Sequence, residues 1–133
     1  MYPYRNALSI IRTFEGFNEK AYADPETGEA PYTIGYGTQF YPDGAAVKQG
    51  QMCTENKALE YLLYEITLIA HELEALNLGL FDSMKESLIS FVHSVGWEAF
   101  LYSEIIDALD RSDYHTVIET INKWIFDNQH QLI

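Results

Sequence analysis

The 133-residue chain is 47% hydrophobic, enough for one domain with a real core, and sets 20 acidic against 8 basic residues for a net charge of −12. That balance argues against nucleic-acid binding through a basic patch, and no apolar run reaches the roughly 18 residues needed to span a membrane. One cysteine, Cys53, excludes an internal disulfide. It fits a reducing compartment and reads as a small buried residue, since Met52 and Thr54 bring no activating base. The first ten residues, MYPYRNALSI, lack the basic region and long apolar core of a signal peptide.

Residues 3–14 predict a helix, with Tyr4, Ala7, Leu8, Ile11 and Phe14 at helical spacing and Gly16 as its stop. Glu15 then sits at the negative end of the helix dipole. A carboxylate is disfavoured there, so its pKa is expected to rise, as a general acid requires; Arg12, one turn back, opposes the effect. Residues 21–37 predict strand, turn, strand. The segment from Asp24 to Pro31 is dense in turn formers, and Pro25 keeps Asp24 out of the α region. Asp24 therefore reads either as a turn initiator or as a functional carboxyl. In an alternating strand Thr33, Gly35 and Gly37 share one face, and Tyr32, Ile34 and Tyr36 share the other. A hydroxyl beside two positions without side chains suggests close approach by an extended polar substrate.

Residues 39–50 read as a loop or short third strand turning at Pro42-Asp43-Gly44. Thr54 reads as the cap of a long helix to about Leu76, with Glu65 the polar exception on its apolar face. Asp82 reads as the cap of a run apolar nearly all round, with Met84, Leu88, Ile89, Phe91, Val92 and Val95, ended by Gly96. That run is the expected central helix of a second lobe. Ser103 and Asp113 read as caps of two more helices. Trp97 and Trp124 read as packing residues before sugar platforms. His93 reads as a core or cleft-edge histidine before a catalytic one. His71, His115 and His130 are scattered, so no zinc site is expected. No nucleophile elbow, P-loop or dinucleotide motif occurs.

Glu15-Gly16, Asp24 nine residues on, and Thr33-Ile34-Gly35-Tyr36-Gly37 together resemble the catalytic segment of the phage-type lysozymes (endolysins, glycoside hydrolase family 24). The family's usual His after the last Gly is Thr38 here. A second stretch is similar to the family's other conserved region through Ser90-Phe91, Val95-Gly96, Ala99-Phe100, Ser103 and Lys123-Trp124; His93-Ser94 replace its usual Phe-Asn. The resemblance covers about residues 5–126.

It implies an α+β, mainly α, lysozyme-like two-lobed fold within one domain, 1–133. A small β-hairpin lobe would span about 16–53 and a connecting helix about 54–76, with 1–15 and 77–133 forming the helical lobe. It implies a muramidase cleaving the β-1,4 bonds between N-acetylmuramic acid and N-acetylglucosamine in peptidoglycan, with inversion and without cofactor or metal. Glu15 would be the acid, Asp24 would assist the attacking water, and Thr33 would position it. Substrate contacts are expected from Gly35, Tyr36, Gly37, His93 and Ser103. The implied setting is the host cytoplasm before lysis, or the virion, with no nucleic-acid or membrane partner. The alternatives are a lytic transglycosylase, which needs only the Glu, and a non-catalytic or truncated virion protein of the same fold. The family normally continues past the Trp into a basic final helix. The end of this chain therefore predicts an apolar patch near Trp124, Ile125 and Phe126 that favours self-association.

Overall fold

A computed structural model describes residues 4–132, with side chains through Trp124. Ile125 and Phe126, named above in the expected patch, have side chains outside that range. The chain divides into two compact units, 1–68 and 69–133.

In the first unit, α1 (Arg5–Glu15) buries Ala7, Leu8 and Ile11 along one stripe. It stops at Gly16, whose φ of 67° is left-handed and whose N–H bonds the Arg12 carbonyl at 3.0 Å. The strands β1 (Asn18–Tyr22) and β2 (Thr33–Gly35) pair antiparallel, Asn18 opposite Gly35 and Tyr22 opposite Thr33, with β1 bulged between those points. β1 starts earlier than the turn chemistry predicts. Residues 39–50 form a loop braced by one bridge, Phe40 to Ala46.

The α2 helix (Glu55–Ala75) begins at Thr54, whose Oγ accepts the Lys57 N–H at 3.2 Å, and runs into the second unit. Its buried residues Ala58, Leu62 and Ile66, with Leu73 further on, keep the helical period. Filling such a site with Leu62 contributes about 1.5–3 kcal/mol over leaving it exposed. Cys53 is buried as expected, and burial, then the Glu19 charge, push its thiol pKa up.

The second unit is helical. After Asn77 and Gly79, both at positive φ, comes α3 (Asp82–Val95). Phe81, not Asp82, occupies its cap position. Asp82 is the first helical residue instead, where a negative charge still favours the dipole. Met84, Leu88, Ile89, Ser90, Phe91 and Val92 are buried, as a central helix requires. A short helix absent from the sequence reading, α4 (Trp97–Leu101), precedes α5 (Glu104–Asp110) and α6 (Tyr114–Leu132). Both tryptophans pack: Trp124 edge-on against Phe91 at 5.2 Å, and Trp97 against Phe100 at 5.4 Å.

Asp113 caps α6. Its carboxylate accepts the Thr116 hydroxyl at 2.7 Å and the Thr116 N–H at 3.2 Å, and these bonds hold its pKa below the ordinary value. A depressed acid stabilises the fold above its unfolded pKa, near ~3.9, and loses that contribution as pH falls through the folded value. Asp113→Ala is therefore expected to lower Tm at pH 7. The gap to the parent protein should close on acidification below about pH 3.9. A gap constant with pH would mean the cap contributes nothing through its charge.

Candidate active site

All three expected catalytic residues and the glycine strand fall in the first unit. Glu15 is the last residue of α1, and the Gly16 stop turns the chain directly into β1. The Glu15 side chain lies against Gly37. A Cβ built on Gly37 would stand 2.9 Å from both Cδ and Oε2 of Glu15. The absent side chain at position 37 is thus the space the carboxyl fills.

Gly37 belongs to a tight reversal rather than to a continuing strand. Ile34 and Thr38 exchange both backbone hydrogen bonds at 2.9 Å, and Gly35 and Gly37 between them have φ of 65° and 84°. Only glycine enters that region without strain. The expected alternation therefore ends at Gly35, and the two glycines serve different neighbours. Gly35 is buried against α2, where an added Cβ would meet Ala58 Cβ at 2.9 Å; Gly37 meets the Glu15 side chain.

Thr33 stands directly across from Tyr22 in the two-stranded ladder. Burial first, then the Glu15 charge, raise the Tyr22 phenol pKa, while hydrogen bonding with the Thr33 side chain opposes them. Glu15, Tyr22, Thr33 and Gly37 accordingly form one local group. Asp24 follows β1 by two residues. Its Oδ1 accepts the Glu26 N–H at 2.9 Å, and its backbone closes the turn to Gly28 and Glu29. The turn reading of Asp24 is the one these bonds bear out; its carboxyl helps shape the turn that follows β1.

Tyr36 is 3% exposed and fixed from three sides. Its hydroxyl donates to Glu55 at 2.6 Å, the Arg12 guanidinium lies 5.3 Å from its ring centre, and Phe17 packs 5.7 Å away. Arg12 also pairs with Glu55 at 3.4 Å. Burial and the Glu55 hydrogen bond raise the Tyr36 pKa; Arg12 counters them. With Ser9, Arg12, Thr13 and Phe17 the ring lines an open recess of about 370 Å³. Thr38, where the resembling family has His, is fully buried and donates to Glu65 at 2.6 Å. This partner accounts for the one polar residue on the apolar face of α2.

His93 and Ser103 lie in the second unit. His93 is half-buried near the end of α3, and Ser103 precedes α5 with its hydroxyl donating to the Phe100 carbonyl at 2.7 Å. The residue the sequence reading passed over is Tyr22. It stands two places before Asp24, and the shifted register that sets it opposite Thr33 is not visible to counting.

A family model described as phage lysozyme matches residues 12–132. An endolysin of Bacillus phage B103 is 29% identical over 118 residues, 88% of this chain and 43% of that protein, so the chain spans less than half that relative's length. Among solved structures, an endolysin from Escherichia coli O157:H7 phage FAHEc1 is 29% identical with a TM-score of 0.70, covering 90% of this chain and 73% of that one. The muramidase domain of SpmX from Asticaccaulis excentricus has a TM-score of 0.74 at 22% identity, over 93% and 80% of the two chains; it shares the fold.

Proposed function

The chain belongs to the phage lysozyme family, and on that footing we propose that it is a muramidase hydrolysing the β-1,4 glycosidic bonds of peptidoglycan. The observation that carries the reading is the seat of Glu15. A helix-terminal carboxyl rests on the bare backbone of Gly37, beside the strand pair Tyr22–Thr33, where it can protonate a glycosidic oxygen. Asp24 assists the attacking water on the opposite face of the sugar, giving inversion, and Thr33 orients that water. Of the expected substrate contacts this reading keeps Gly37 in the first unit and His93 and Ser103 in the second; Gly35 is packed on Ala58 and Tyr36 is 3% exposed with its hydroxyl given to Glu55, so neither is a contact. Of those kept, Gly37 has the most direct support, because it borders the acid.

The site of action is the cell wall, reached from the host cytoplasm at lysis or from a virion. Among the described residues no helix is long and apolar enough to cross a membrane. Clearing of a peptidoglycan suspension by the purified chain tests the activity. Inert walls under all conditions would refute it.

One observation favours a second reading. Asp24 Oδ1 is committed to its own turn, as a Glu-only lytic transglycosylase would tolerate. The products decide: a muramidase leaves a reducing sugar end, a transglycosylase an anhydro end.

Charge gives a further expectation. The protein carries −12 and a bacterial wall is typically anionic. At about 0.01 M salt the Debye length is roughly 30 Å and the acidic surface repels the substrate; at about 0.15 M it falls to roughly 8 Å. The initial clearing rate should rise across that range, while cleavage of a short neutral oligosaccharide changes little. A rate falling steadily from the lowest salt would mean that a local basic patch governs binding.

A further inference from the structure

Arg12, Tyr36 and Glu55 come from α1, the reversal and the first residue of α2, all in the first unit, and they close into a triangle. Tyr36 lies between Gly35 and Gly37, and its hydroxyl donates to Glu55 Oε2 at 2.6 Å. The Arg12 guanidinium donates to that same oxygen at 3.4 Å and lies 5.3 Å from the Tyr36 ring centre. The ion pair alone does not account for the arrangement. Its side chains are 43% and 54% exposed, and exposed pairs add little to stability. The phenol bond is different: the tyrosine is buried, its acceptor is charged, and a charge-assisted bond of this kind is short and strong. Both other corners of the triangle lead to the acid. Arg12 stands one turn before Glu15 on α1, and Tyr36 directly precedes Gly37, against which the Glu15 side chain lies. Glu55 therefore ties the end of the helix that carries the acid to the loop on which the acid rests.

We propose that Glu55 is a positioning residue for hydrolysis: by taking the Tyr36 hydroxyl and the Arg12 guanidinium on one carboxylate oxygen, it keeps the Gly37 backbone aligned beneath the Glu15 carboxyl. The inference rests on the muramidase reading above and deepens it. Glu55 need not touch the reacting atoms. It acts through Tyr36 and the reversal, so its loss misplaces the acid and slows the chemical step more than it weakens binding.

Three arms test it, with rates measured well below the melting temperature of every variant. On a soluble peptidoglycan fragment, Glu55→Ala removes both links. It should lower kcat about tenfold and change KM less than about twofold, because His93 and Ser103 are untouched. Glu55→Gln keeps an acceptor oxygen for the phenol, and its kcat should fall between those of Glu55→Ala and the parent. In the second arm Tyr36→Phe keeps the ring and its packing and removes only the hydroxyl. It should lower kcat in the parent and cost nothing more in a Glu55→Ala background, because the bond it breaks is already gone. The third arm does not depend on turnover. Burial and then the Glu55 hydrogen bond raise the Tyr36 pKa, so the phenol, followed by carbon NMR of labelled tyrosine, should titrate lower in Glu55→Ala than in the parent protein.

A Tyr36→Phe effect of equal size in both backgrounds would overturn the proposal, as would a Glu55→Ala loss carried by KM alone or a Tyr36 phenol that titrates as in the parent. The failure of the broader reading looks different. A parent chain that cleaves no glycan refutes the muramidase assignment, and the positioning role falls with it. A normal kcat for Glu55→Ala in an active protein refutes the role alone.

Discussion

Glu15→Gln should abolish wall clearing while the protein stays folded. The amide has the shape of the carboxyl and fits the same seat on Gly37, so the packing that now accepts the side chain is retained. What it loses is the proton. An acid that protonates the leaving oxygen is typically worth about 10²–10⁴ in rate, and the residual activity should fall by at least that range. Asp24→Asn should cost nearly as much. Thr33→Ala should cost about an order of magnitude less than Glu15→Gln, since other groups can partly hold a water. Clearing rates beside thermal melts check all three. Full activity in Glu15→Gln would remove the hydrolase assignment from this site.

The paired glycines give the second large effect, and they should fail in different ways. At Gly35 an added Cβ would stand 2.9 Å from Ala58 Cβ and 3.4 Å from Ala58 Cα, atoms with no flexible end to yield, at a φ of 65°. Overpacking of about 1–3 kcal/mol and left-handed strain of about 1–2 kcal/mol add, so Gly35→Ala should lose about 2–5 kcal/mol of stability. At Gly37 the obstacle is the far end of the Glu15 side chain, which can swing away. Gly37→Ala should therefore lose only the strain, about 1–2 kcal/mol, while moving the acid. A displacement of about 1 Å at a reacting group can cost roughly 100-fold in rate. Urea melts and clearing rates on both variants separate the cases. A Gly37→Ala protein with full activity, or a Gly35→Ala protein as stable as its parent, would contradict the division of labour described for the reversal.

The helices were legible because their signals are local. Thr54 and Asp113 each show a cap oxygen ahead of a periodic apolar run, and both caps form. The Glu15-Gly16 stop is equally local. α4 escaped because Trp97–Leu101 is five residues, too short for any period to declare itself. Asp82 has the residue type of a cap, whereas Phe81 adopts the extended backbone that a cap position needs. The glycine face misled for a specific reason: period-two counting assumes extended backbone, and Gly35 and Gly37 leave it at positive φ. Tyr22 could not be assigned to Thr33 by counting either, because the bulge shifts the register between the strands. Glu65 was visible as an anomaly on an apolar face. Only the fold supplied its partner, Thr38.

That partner has a consequence for which changes α2 can bear. Gly35 rests on Ala58 and Thr38 is tied to Glu65, so the reversal under the acid is gripped at both ends by one helix. The two grips are seven residues apart, about two turns, and hence on the same side of the helix. What the site depends on is the phase of α2 between them. Exchanging an exposed residue such as Tyr64 leaves that phase untouched. Inserting or deleting a single residue between 58 and 65 rotates one grip by about 100° relative to the other. The stretch should therefore accept many spellings but only one length.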